Sequence, residues 1–172
     1  AIQTMANEED SPPATTSQPF LSTSVTNISA TSAEIALDRN EAIPGMINQP
    51  EVLAWLAMPA SVAGSFVDLA SQPVAYQTLI SPTGIRRWDD GCTQVDFGQT
   101  YANPPPVLVN RRTRTDADGG WFRRCNTTTT FIRLTIDEDR DGDNDRSGTA
   151  DPASLVVFSR DFSAEFEIPG IV

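Results

Sequence analysis

From Phe20 onward the apolar residues of this chain fall into short runs, each closed within about a dozen residues by Gly, Pro, Asn or Asp. That punctuation leaves little room for helices and favours many short strands. Ser24–Ile28 and Glu34–Asp38 alternate with period two, and residues 29–32 read as the turn between them. Further runs lie at 64–69, 74–80, 93–97, 107–113, 128–136, 154–159 and 162–168, with separators such as Pro44-Gly45, Ser81–Gly84, Asn103–Pro106 and Asp116–Gly120. Residues 51–58 (EVLAWLAM) are the one segment with helical potential. They are short and lie between Pro50 and Pro59, so the expectation is a buried strand. The fold class that follows is all-β: an antiparallel β-sandwich or jelly roll of about nine to ten strands.

Residues 1–19 depart from this pattern. They are polar, acidic and proline-rich, and are expected to form a flexible arm that only a partner orders, ahead of one sandwich domain at 20–172. The chain opens Ala1-Ile2-Gln3 without a basic or apolar leader, so any signal peptide is expected to have been removed. No apolar run is long enough for a membrane-spanning helix.

The formal net charge of −11 lacks the basic footprint that nucleic acid requires. All twelve basic residues are arginine, and there is no lysine or histidine. A serine or cysteine nucleophile therefore has no ordinary base partner, and the expectation is a protein that is not an enzyme. The two cysteines, Cys92 and Cys125, are expected to form a disulfide in a secreted or cell-surface setting, the alternative being two buried thiols.

The densest motif is the run Asp137–Asp145, with five aspartates and a glutamate in nine residues. Asp137, Asp139 and Asp141, then Gly142, match the opening of a calcium loop, because alternate carboxylates can converge on one hard cation. Asp143 and Asp145 continue the series, giving a candidate Ca²⁺ site. Gly148 stands where a closing glutamate belongs, and Asp151 can replace it only by another loop path. The other reading is a solvated acidic hairpin partly offset by Arg140 and Arg146. Trp88 and Trp121 lie near the cysteines and are expected to pack around the disulfide in the core. If exposed, they are candidate sugar-stacking residues, with Asp116, Asp118 and Arg123 as polar contacts. The arginine pairs at 86–87, 111–112 and 123–124 read as sheet-face residues in weak surface ion pairs. Asp116–Gly120 reads as a loop whose glycines need positive φ.

A series of motifs resembles a known module. Ile85–Cys92 (IRRWDDGC), Gly119–Cys125 (GGWFRRC), Ile136–Asp139, Asp145-Arg146-Ser147 and Val157–Phe162 (VFSRDF) occur in that order. They resemble the β-sandwich module of bacterial MshQ-type surface proteins, associated with a pilus system. Ala36–Glu41, Gly45 and Glu51–Ala57 are similar to that module's N-terminal half. Where those modules often carry a His and a Glu, this chain has Gly148 and Asp151. Separately, Val95-Asp96-Phe97 to Pro106–Val109, followed by a strand at 130–136, is similar to H-type lectin domains. The first resemblance implies a structural or adhesive surface module. The arm at 1–19 adds the expectation of a self-assembling fibre or pilus-associated subunit, forming homo-oligomers or filaments as the arm completes a neighbour's sheet edge. The second implies a glycan-binding lectin, often trimeric.

Overall fold

The computed structural model describes residues 2–7, 21–39, 52–115, 119–138 and 146–165. The strands are β1 (Ile2–Asn7), β2 (Leu21–Thr26), β3 (Glu34–Arg39), β4 (Val52–Ala57), β5 (Ala63–Val67), β6 (Pro73–Ile80), β7 (Thr93–Asp96), β8 (Val107–Arg111), β9 (Trp121–Thr127), β10 (Phe131–Asp137) and β11 (Ala153–Phe158). One 3₁₀ turn, Trp88–Asp90, is the helical content of the described residues. Every strand pair is antiparallel. A four-stranded sheet of order β5-β6-β11-β8 faces a three-stranded sheet of order β7-β10-β9. The all-β sandwich expected from the punctuated sequence is the architecture observed.

The core lies between these sheets. Val95, Ile132, Leu134 and Ile136 project from one side and meet Ala153, Leu155 and Val157 of β11, with Ile85 and Phe97 completing the cluster. Alternation explains the contributions of β10: Ile132, Leu134 and Ile136 point inward at every second position. β11 differs, being buried at all six residues. Its other face, Val156 and Phe158, is covered together with Val74 by Phe66, Tyr76, Met58 and Phe162. A continuous apolar run such as Leu155–Phe158 is what a strand buried on both faces requires.

Local chemistry closes the turns. Between β5 and β6 the carboxylate of Asp68 accepts from the backbone N–H of Gln72 at 2.8 Å and of Ala70 at 3.0 Å, while Arg160 pairs with its other oxygen at 2.9 Å. These contacts hold the Asp68 carboxyl below its ordinary range: the Gln72 N–H lowers it most, and the Arg160 guanidinium adds to this against the opposing effect of burial.

Several segments depart from the sequence expectation. Within the arm at 1–19, Ile2–Asn7 forms β1, which pairs with β4 from Ile2↔Ala57 to Asn7↔Val52. β4 is a strand as expected, yet Trp55 is 66% exposed and Leu56 also faces solvent. The reason is its sheet: β4 belongs to a two-stranded ladder with β1, outside both sandwich sheets. β9 was absent from the expected strands because Trp-Phe-Arg-Arg-Cys-Asn-Thr does not alternate. Residues 162–165 form no strand; Phe162 instead packs on Phe66 and Phe158, with ring centroids 4.9 and 4.7 Å apart.

Cys92 and Cys125 form the disulfide, with Cα atoms 6.5 Å apart. It joins the segment entering β7 to β9, the two strands that flank β10. Both half-cystines are exposed. Opening it with the pair Cys92→Ser and Cys125→Ser frees the 33-residue separation between them. Denaturant titration of this variant should show a loss of roughly 3–4 kcal/mol; an unchanged midpoint would rule out the staple as a stabilising device.

Candidate functional site

Beneath the disulfide-bearing sheet lies a network of buried charges. Arg87 is 0% and Asp151 0% exposed, and Arg111 and Glu138 are nearly as buried. Arg87 Nη1 donates to Glu138 Oε2 at 3.1 Å and to the Gly119 carbonyl at 2.8 Å. Arg111 Nε donates to Asp151 Oδ2 at 3.0 Å, and its Nη1 donates to the Gly120 carbonyl at 3.1 Å. Two arginines from different segments thus grip two successive carbonyls at the entrance to β9. The opposite oxygen of Asp151 accepts from the hydroxyls of Thr113 and Thr115. Its backbone forms a bridge with Ile85, N–H to carbonyl at 2.8 Å in one direction and 3.2 Å in the other.

Burial pushes the Asp151 carboxyl up. The Thr113 and Thr115 hydroxyls and the Arg111 charge outweigh that and hold it below its ordinary range. Gly120 sits at φ +114°, and a Cβ there would come within 2.8 Å of Ile136 Cγ2 and 2.9 Å of the Asp137 carbonyl. Glycine is required by the backbone angle and by the close approach together. Gly119 also has positive φ, as the sequence pattern implied.

Above this network the outer face gathers aromatic and cationic groups. Arg123 lies between the two candidate tryptophans, its Cζ 5.9 Å from the Trp88 ring centroid and 5.8 Å from that of Trp121. Arg146 approaches Trp88 at 4.8 Å. Such contacts at partly exposed sites contribute about 0.5–1 kcal/mol each. Both arginines also converge on Asp137. Arg146 Nη1 donates to Asp137 Oδ1 at 3.1 Å, and Arg123 Nε pairs with Oδ2. Asp89 adds a second tie, accepting from the Arg146 backbone N–H at 3.1 Å.

The structure therefore brings Trp88, Trp121 and Arg123 into one cluster beside the Cys92–Cys125 disulfide. The expectation that both indoles pack in the core is corrected: Trp88 is 40% exposed and Trp121 half-buried, because the disulfide lies on the outer face. Asp116 and Asp118 fall outside the described residues, as do Asp139, Asp141, Asp143 and Asp145. Asp137 is described and buried, with both carboxylate oxygens engaged by arginine. Among the described residues no cluster of His, Cys, Asp or Glu is arranged to hold a metal ion. Asp151, weighed from sequence as a substitute loop ligand, is committed to Arg111, Thr113 and Thr115.

The arginine pairs need a second correction. Arg87 and Arg111 are buried, while Arg86 is exposed and Arg112 only half-buried. Neighbouring residues in extended chain point to opposite faces, so one member of such a pair turns inward. A lone acid just ahead of the apolar β11 run was the available signal for Asp151; nothing in the sequence marked Glu138 apart from its acidic neighbours.

Compared with protein-family models, with curated proteins and with solved structures, the chain matches none of them.

Replacing Asp151 with Asn leaves Arg111 buried without its counter-charge. By the usual cost of breaking a buried pair, chemical unfolding at pH 7 should show a loss of about 3 kcal/mol. The sign with pH is fixed by the lowered carboxyl: its stabilisation is complete above about pH 4 and is lost as pH falls through the folded-state value. The gap between wild type and Asp151→Asn should accordingly narrow below about pH 4. A gap that stays constant down to pH 2 would contradict the ionised pair.

Proposed function

We propose that this chain is a non-catalytic, secreted or cell-surface β-sandwich module with a structural or adhesive role, kin to the MshQ-type modules and able to assemble into fibres through residues 1–19. The observation that carries the reading is β1. Its pairing with β4 forms a two-stranded ladder separate from both sandwich sheets. The same antiparallel register is available to β1 of a neighbouring copy, and strand addition of that kind uses main-chain hydrogen bonds that any copy offers. Residues 8–20 have an extended reach of roughly 45 Å. That is comparable with the width of a domain this size, roughly 40 Å. A heterologous contact repeated in this way gives open filaments when its rotation does not close. The disulfide, and the lack of any helix among the described residues long and apolar enough to cross a membrane, are compatible with an extracellular setting.

A second reading, glycan binding, draws on the convergence of Trp88, Trp121 and Arg123 on an exposed face. Indole faces stack on sugar rings, and guanidinium groups donate to hydroxyls and carboxylates. In this reading the calcium expected of the acidic run would supply further sugar contacts.

Light scattering and negative-stain imaging distinguish the first reading. The full chain should form homo-oligomers or filaments, and deletion of residues 1–19 should yield monomers; unchanged assembly after deletion would refute the role given to the arm. For the second, a glycan array should show saturable binding that Trp88→Ala weakens by roughly tenfold or more and that a chelator abolishes. Equal signal from wild type and Trp88→Ala would remove this face from sugar recognition.

A further inference from the structure

A cavity of about 300 Å³ opens between β8 and β9, the end strands of the two facing sheets. Its walls are Val107, Val109, Ile132 and Leu134, so it reaches the residues of the sandwich core directly. Phe122, Pro105 and Pro106 complete the apolar lining. Two polar groups interrupt it, both from β9. The Thr127 hydroxyl is buried and has no hydrogen-bond partner among the described residues. Arg124 is exposed at the rim and makes no hydrogen bond or ion pair with any described residue.

A β-bulge explains how both come to line one cavity. Leu134 pairs with Arg124 and Ile132 with Thr127, the register shifting between Arg133 and Leu134. β10 advances two residues between those pairs while β9 advances three. Without the extra residue, Thr127 would fall on the opposite face from Arg124; with it, both share the inward face beside Phe122. Bulges commonly re-aim side chains in this way.

The chemistry of the lining defines what fits. A guanidinium is always charged and matches a carboxylate in a two-point contact. A buried hydroxyl without a partner is unfavourable until something bonds it. The lining is part polar and part apolar, which favours a ligand that is both over an ion that is polar throughout, and the volume stands at the small end of ligand sites. We propose that this cavity is a binding site for a small amphipathic carboxylate, its head at Arg124 and Thr127 and its apolar body against Val107, Val109 and Leu134.

Sodium octanoate, with neutral octanamide as its comparison, is the probe, followed by titration calorimetry on the full chain. Octanoate should bind saturably at one site per chain. Arg124→Gln should weaken it by roughly tenfold or more, and octanamide should bind wild type as weakly as octanoate binds the variant. Val109→Phe, which fills the cavity, should abolish binding. Near-UV circular dichroism checks the fold of each variant, and Arg124→Gln, altering only an exposed side chain, carries the test if Val109→Phe does not fold. No saturable binding at millimolar octanoate, several equivalents bound per chain, or equal affinity in Arg124→Gln would each overturn the proposal.

Discussion

Everything near the disulfide depends on two buried arginines. Arg87 and Arg111 are placed under the sheet by segments far apart in the chain, and both donate to carbonyls of the Gly119-Gly120 pair. Each would be prohibitively costly to bury alone, so each is neutralised, by Glu138 and Asp151 respectively. The result fixes the entrance to β9, and β9 carries Trp121, Arg123, Arg124, Cys125 and Thr127. The exposed aromatic face and the apolar cavity both hang from that one strand. A sandwich whose net stability is expected to be only several kcal/mol has little reserve for losing one of these pairs.

The same strand presents two unlike surfaces because its residues alternate and then slip. Trp121 and Arg123 face outward to Trp88, Asp137 and the disulfide. Phe122 and Arg124 face inward, and the bulge at Cys125 returns Thr127 to the inner side. Asp137 and Arg146 stand on either side of the Asp139–Asp145 run and pair with one another. This ion pair draws together the two residues that flank the most acidic segment of the chain.

Much of the sandwich was legible as periodicity. The Ser24–Ile28 and Glu34–Asp38 runs became the β2–β3 hairpin, and Ile132, Leu134 and Ile136 became core because period two admits one inward face. β9 was not legible, since a bulge and an inward arginine erase the alternation on which such a reading rests. Arg87 and Arg111 were misread for a related reason: composition places arginine at the surface, and only the folded chain shows an acid waiting opposite each one. β4 carried the opposite error. Its apolar residues suggested burial, but its only sheet partner among the described residues is β1.

By itself the sequence determined the all-β class, the one partner each cysteine could have, and a loop at 119–120 in which glycine takes positive φ. These follow from local terms: side-chain alternation, turn chemistry and the absence of any other thiol. Tertiary structure alone decided which arginines are buried, that Trp88, Trp121 and Arg123 meet, and that Arg124 and Thr127 share a cavity. Those outcomes depend on which strands become neighbours and in what register. Register is set by the sum of many weak long-range contacts, and no single stretch of the chain encodes it.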